Sequence, residues 1–130
     1  MRAQADPSKR ESMTYDPSRA PEPSAWLALP DAERLRRVEA YHENVEPKPP
    51  NAKLHSVVHV TVENQLAEGF GPTVRAMARL NAGGLDRHEA LHAIGTVLSH
   101  HIFGAMKLGA QQFDEGLYAM ELELLKLERR

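Results

Sequence analysis

Apolar residues recur every three or four positions along most of the chain after residue 28, which is the spacing of one helix face. Five helices are predicted, over about residues 31–44, 51–68, 71–80, 86–107 and 114–128. Their expected inward residues, in chain order, are Leu35, Val38 and Tyr41 or His42; Leu54, Val58, Val62 and Leu66; Val74, Met77 and Leu80; Leu91, Ile94, Leu98 and Ile102; and Leu117, Met120, Leu124 and Leu127. The pattern predicts an all-α fold, an irregular bundle of about five helices.

The ends of the second predicted helix carry specific signals. Asn51 is a typical N-cap residue, and Gly69 is a typical C-terminal stop. The segment Val57–Val62 between them is rich in β-branched residues and would also suit a strand. Helix is favoured because the stretch is long and continues into Glu63 and the polar residues after it.

The N-terminal segment, residues 1–28, is polar and contains four prolines among serine and charged residues. Such a composition buries too little apolar surface to offset the entropy lost on ordering. We therefore predict a disordered tail over 1–28, or one that is at best draped on the domain through Trp26, Leu27 and Leu29. A single helical domain is predicted over 29–130.

Charge and composition exclude several classes of function. The net charge is −2 and the chain has no cysteine, so no nucleic-acid partner, anionic membrane surface, disulfide or thiolate site is expected. No apolar run resembles a signal peptide or a membrane span. A cytoplasmic protein that is not exported is expected.

Two histidine pairs carry the main chemical signal. His55 and His59 are four positions apart on the second predicted helix, and His88 and His92 repeat that spacing on the fourth. Residues four apart share a helix face, so each pair can reach one metal ion. Glu63 continues the first pair by another four positions, as a ligand or as a partner of one. These five residues are the predicted metal site, with zinc favoured and iron or manganese if carboxylates join.

Glu89 admits two interpretations. His88-Glu89-Ala90-Leu91-His92 has the His-Glu-x-x-His form in which the glutamate is the general base of a zinc hydrolase. Leu98 stands where a metzincin would have its third histidine, so a protease is not favoured. Asp86 and Glu89 also have the spacing of a capping box, in which the glutamate serves the helix end alone.

A di-iron bundle is an alternative metal site. Glu39 to His42 and Glu89 to His92 both have the E-x-x-H form of ferritin-like ligands, and Glu63 with Glu121 or Glu123 would complete the set. The predicted helices are short for that fold. His100 and His101 are neighbours that point about 100° apart, so they are read as an ordinary helix end.

Residues 50–103 resemble a family of small uncharacterised bacterial helical domains, similar to stretches found in proteins that carry SEC-C motifs. The resemblance rests on Leu54-His55, Val58-His59-Val60, Val62 to Gln65, and Leu85 to Gly95 with Val97-Leu98. It implies a bacterial, cytoplasmic, all-helical domain of unknown function, and it lends no activity. The SEC-C cysteine cluster is absent from this sequence, so its zinc chemistry does not carry over.

Two functional hypotheses follow. The first is a small metalloprotein with His55, His59, His88 and His92 as ligands, acting in metal-assisted hydrolysis if it is an enzyme. The second is a non-catalytic helical interaction module or homo-oligomer in which the histidines are structural. The partner, a small molecule or a protein, is left open by the sequence.

Overall fold

The computed structural model describes residues 14–107, 109 and 113–126, and within them the chain forms six helices and no strand. Their bounds are α1 Pro23–Ala28, α2 Asp31–Glu43, α3 Ala52–Glu68, α4 Gly71–Ala82, α5 Arg87–Lys107 and α6 Glu115–Leu124. The predicted all-α bundle is confirmed. No helix among the described residues combines the length and hydropathy that crossing a bilayer requires.

The ends of α3 agree with the sequence signals. Asn51 adopts a left-handed backbone conformation and its side chain accepts a hydrogen bond from the backbone N–H of Leu54 at 3.2 Å. Gly69 ends the helix with φ +76°, a conformation that favours glycine. The β-branched stretch Val57–Val62 is helical, so the side chains at positions 55 and 59 share one face.

The main core lies where α3, α4, α5 and α6 pack together. Val62, Ile94 and Leu98 are almost fully buried in it. Gly95 allows α3 and α5 to approach closely, because a Cβ there would lie 2.8 Å from Cγ1 of Val58. This close approach brings the histidine-bearing faces of the two helices together.

A second apolar cluster attaches the chain's N-terminal part to the bundle. Tyr15, Trp26 and Val38 are buried together, and the Trp26 indole N–H donates to Oδ1 of Asn64 at 2.9 Å. Residues 14–28 therefore follow the second alternative given above: they are draped on the domain, and the predicted boundary at residue 29 leaves out part of the packed chain. Residues 1–13 of the predicted tail lie outside the described residues.

The inward face predicted for the last helix is wrong. Tyr118 and Leu122 are fully buried, whereas Leu117, Met120 and Leu124 are 50, 55 and 72% exposed. Apolar residues occur on every side of α6, so spacing alone could not select the face that the core covers. The helix also ends at Leu124, before the predicted end near 128, and Leu127 lies outside the described residues.

One inward residue of α4 is also misassigned. Val74 is 41% exposed, and Thr73 and Ala76 are buried in its place, while Met77 and Leu80 point inward as predicted. The helix therefore turns a neighbouring face to the core, one that carries smaller side chains.

Candidate metal centre

Five of the seven histidines meet in one cluster between α2, α3 and α5. Neighbouring rings of the cluster have centroids 4.3 to 5.5 Å apart. The members are His42 from α2, His55 and His59 from α3, and His88 and His92 from α5. The four-residue spacing on α3 and α5 places each predicted pair on the shared face, and the structure brings both pairs together.

The cluster contains two groups that are close enough to hold a metal ion. One consists of His42, His55 and His59, and the other of His59, His88 and His92; in each, one ligand atom per residue lies within 4.8 Å of the others. Both groups use His59, which therefore occupies the centre of the cluster.

The Nε2 atoms of His59 and His92 lie 3.2 Å apart. Two imidazole ligands of a tetrahedral zinc ion, each about 2.0–2.1 Å from the metal, have their nitrogens roughly 3.3 Å apart. Without an ion, one of these two nitrogens must carry a proton that it donates to the other. The observed spacing therefore fits a shared metal ion as well as a hydrogen bond.

Tyr15 sets the protonation pattern of His59. Its hydroxyl lies 2.6 Å from Oε2 of Glu63 and 3.0 Å from Nδ1 of His59. A phenol has one proton, and burial together with the charge of Glu63 raises the pKa of Tyr15, so that proton is retained and donated to the carboxylate. The Nδ1–H of His59 then donates to Tyr15, which leaves the Nε2 lone pair free for a metal.

Glu63 is a partner of the cluster rather than a free ligand. It is 1% exposed, and Arg87 holds its two oxygens with hydrogen bonds of 2.7 and 2.9 Å. The guanidinium also donates to the backbone oxygen of Pro17 at 2.9 Å. Since both carboxylate oxygens are bonded, Glu63 acts on the site through Tyr15 and His59.

Two further imidazole nitrogens are buried without a partner. Nδ1 of His42 donates to the backbone oxygen of Val38 at 2.9 Å, so its Nε2 carries a lone pair. That Nε2 and the Nε2 of His88 make no hydrogen bond among the described residues. Buried polar atoms are normally satisfied, and a buried imidazole nitrogen without a hydrogen-bond partner is available as a metal ligand.

All five imidazoles are held in the neutral form. Burial, reinforced by the neighbouring histidines, lowers the pKa of His59 to about 2 and that of His92 to about 4. Burial also lowers the pKa of the other three, His42, His55 and His88. Neutral imidazole is the form that binds metal, so the cluster needs little proton release at neutral pH.

Glu89 lies in the capping box of α5. Its Oε1 accepts from the backbone N–H of Asp86 at 2.9 Å, and Oδ1 of Asp86 accepts from the N–H of Glu89 at 2.8 Å. The side chain is exposed and belongs to neither histidine group. The geometry therefore supports the capping interpretation of Glu89.

The carboxylates of the di-iron alternative are engaged elsewhere. Glu121 pairs with His101 and Glu123 with Arg75, both on the side of the bundle where α6 lies. Neither glutamate is in a group with the clustered histidines among the described residues. Among the described residues, the groups of side chains that could hold a metal ion consist of histidines.

A cavity of about 470 Å³ opens beside the cluster, between α3 and α5. Its histidine end is formed by His55, His59 and His92, and its far end by the residues Pro50, Asn51 and Phe103. An ion held at His59 and His92 would therefore be accessible from this cavity.

Sequence reasoning missed two contributors to the centre, Tyr15 and Arg87, and it gave His42 as a ligand only in the di-iron alternative. His42 does fall in the inward stripe of α2, which is a usable signal. Tyr15 stands in a proline-rich segment, and Arg87 precedes the histidine pair directly, so neither follows a recognisable spacing.

Comparison of the chain with family models, with curated proteins and with solved structures finds no match. The resemblance to bacterial helical domains therefore stays a prediction, and the centre has to be interpreted from its own geometry.

Proposed function

We propose that this protein binds one divalent transition-metal ion, with zinc favoured, through Nε2 of His59, His88 and His92. The observation that carries the proposal is the 3.2 Å separation of the His59 and His92 Nε2 atoms, with the His59 lone pair freed by Tyr15. The unpartnered Nε2 of His88 supports it as the third ligand. Three neutral imidazoles form a common donor set of catalytic zinc.

A single ion is proposed although five imidazoles are present. His59 has one free nitrogen, since Nδ1 is bonded to Tyr15, and both histidine groups need it. An ion bound by His59, His88 and His92 therefore excludes one bound by His42, His55 and His59. In this arrangement His42 and His55 lie beside the ligands without binding the ion.

If the protein is an enzyme, metal-assisted hydrolysis is the reaction class that the site supports. A zinc ion with three histidines keeps a position for water or substrate, lowers the pKa of bound water and polarises a carbonyl. The cavity at His55, His59 and His92 gives a substrate access to that position. A cytoplasmic location is part of the proposal, and a chain without cysteine is compatible with it.

Calorimetric titration of untagged protein with Zn²⁺, near neutral pH after chelation, tests the proposal. One equivalent should bind and raise the melting temperature, because only the folded chain presents the three nitrogens together. His59→Ala, His88→Ala and His92→Ala should each abolish most of that rise. His101→Ala, outside the cluster, is the matched control and should leave it intact.

The variant His42→Ala decides between the two histidine groups. It should retain zinc binding if His88 is the third ligand, and should lose it if His42 and His55 complete the site. Unchanged melting of the wild type with zinc, manganese and iron would overturn the metal proposal altogether.

A second candidate, a homo-oligomer or interaction module, is favoured by exposed apolar residues on α5 and α6. Met106 at the end of α5 and Leu117, Met120 and Leu124 on α6 are each at least half exposed. Sedimentation equilibrium compares the wild type with Leu124→Glu. A dimer that the substitution dissociates supports this candidate, and a monomer at all concentrations rejects it.

A further inference from the structure

We propose that the cavity beside the histidine centre binds a small amphiphile, a monocarboxylate with an unbranched apolar body, whose head group faces the metal ion. The inference rests on the proposed metal site and names its ligand class. It is carried by the shape, the wall chemistry and the charge of the cavity.

The cavity is elongated. His59 lies against His92, and Val58 lies against Gly95, so α3 and α5 run antiparallel past each other. The lining residues extend back along α3 from His59 to the N-cap residue Asn51, a distance of about 12 Å at the rise of an α-helix. The volume, about 470 Å³, is within the range of small-molecule sites. A ligand that fills this space has one end at the histidines and the other near Phe103.

The wall beyond the histidines is largely apolar. Leu54 and Val58 line it from α3, and Leu91 and Phe103 line it from α5. The polar groups of this wall come from Asn51, Thr96, Ser99 and His100. Each methylene of a ligand that leaves water for such a wall contributes about 0.8 kcal/mol. The wall therefore favours a hydrocarbon body over a sugar or a nucleoside.

The charges around the cavity favour one kind of head group in the ligand. No Asp, Glu, Lys or Arg is among the lining residues that the structure describes, and the titratable side chain among them that lies outside the cluster is His100. The proposed ligands are neutral imidazoles, so a bound divalent ion keeps its full charge at the histidine end of the cavity. The nearby Glu63 is paired with Arg87 and adds no net charge.

The acidic groups whose charge reaches His88 are Asp16, Asp86 and Glu89, and none of them lines the cavity. A monoanion meets the divalent ion as the attractive charge, and the wall itself adds no repulsive carboxylate among the described lining residues. A phosphate would need the arginine or lysine donors that this wall lacks. A carboxylate is thus the head group that the cavity matches.

Titration calorimetry with octanoate tests the inference on the full chain loaded with Zn²⁺. Octanoate should bind at least about tenfold more tightly than acetate, which has the head group alone, and more tightly than 1-octanol, which has the body alone. Removal of zinc should weaken octanoate binding by about tenfold or more. The inference is wrong if octanoate and 1-octanol bind with equal affinity. It is also wrong if octanoate binds with equal affinity to the zinc-loaded and the zinc-free chain.

Two substitutions test whether octanoate binds in this cavity. Ser99→Phe places a ring in the cavity and should abolish octanoate binding with zinc binding retained, whereas Ala78→Phe places the same ring on an exposed position of α4 and should change neither. Should Ser99→Phe not fold, Phe103→Ala removes a wall of the far end. It should reduce the advantage of octanoate over acetate and leave acetate binding unchanged.

The two proposals fail differently. If zinc does not bind, both the proposed metal site and the ligand inference are wrong. If zinc binds as proposed but neither Ser99→Phe nor Phe103→Ala changes the affinity for octanoate, only the ligand inference is wrong.

Discussion

Tyr15 and His59, 44 positions apart in the chain, share a buried hydrogen bond of 3.0 Å between the Tyr15 hydroxyl and Nδ1 of His59. The bond ties a segment near the N-terminus to the central histidine of the cluster. Because the phenol proton goes to Glu63, this contact fixes which nitrogen of His59 is free.

The variant Tyr15→Phe should weaken zinc binding by at least about tenfold, because His59 loses the acceptor that holds its proton on Nδ1. The ring and most of its packing remain. Tyr41→Phe is the matched control: Tyr41 also packs against the cluster, but its hydroxyl makes no hydrogen bond with the described residues. Calorimetry measures the zinc affinities, and nitrogen NMR identifies the tautomer of His59. Equal zinc affinity of the two variants would show that Tyr15 does not set the ligand.

The metal-free protein should lose stability as the pH falls from 7 to 5. Unfolded imidazoles take up protons below about pH 6.5, whereas burial holds the folded pKa at about 2 for His59 and about 4 for His92. The unfolded state therefore binds more protons in this window, and the free energy of unfolding rises with pH. Urea denaturation at several pH values measures the slope.

The carboxylate of Glu33 acts in a lower pH range, so it does not obscure this slope. Hydrogen bonds from Arg36 and Arg37 lower the pKa of Glu33 to about 2, and the stability tied to it is lost below the unfolded pKa of about 4.5. His59→Phe, which removes one buried base, should flatten the slope between pH 5 and 7. An unchanged slope would place the titrating groups elsewhere.

The variant Glu89→Ala should lower the free energy of unfolding by about 1 kcal/mol and leave zinc affinity unchanged, because Glu89 caps α5. Alanine is used since glutamine keeps an oxygen that can accept from the Asp86 N–H. Asp86→Ala, which removes the other half of the capping box, should have a similar effect on stability. Normal stability with loss of a hydrolytic activity would restore the general-base interpretation of Glu89.

Deletion of residues 1–20 should lower the free energy of unfolding by about 2 kcal/mol, because it exposes the site of the buried Tyr15 ring and breaks its bond to Glu63. Deletion of residues 1–13 alone should have little effect, as their polar composition predicts. Chemical denaturation measures the free energy of unfolding of the two shortened chains and of the full chain, and so checks both expectations. Equal stability of the two would mean that Tyr15 contributes little to folding.

The sequence predicted those features that local signals determine. The ends of α3 follow from Asn51 and Gly69, and the pairing of His55 with His59 follows from helical spacing alone. The contribution of Tyr15 could not be predicted, because it depends on how a proline-rich segment returns to a helix 44 positions away. Nor could spacing select the buried face of α6, which carries Tyr118 and is covered where α6 packs against α4 and α5.

Gly95 has a consequence for any systematic substitution of this chain. It supplies no donor atom, yet Val58 occupies the space that a side chain at position 95 would need. Valine in a helix has one strongly preferred rotamer, so the two helix axes would have to separate, and His59 and His92 would move apart with them. In a saturation mutagenesis screen that measures metal affinity, substitutions at position 95 should therefore lower the affinity as substitutions at the ligand positions do. A choice of positions by solvent exposure or charge would not include position 95.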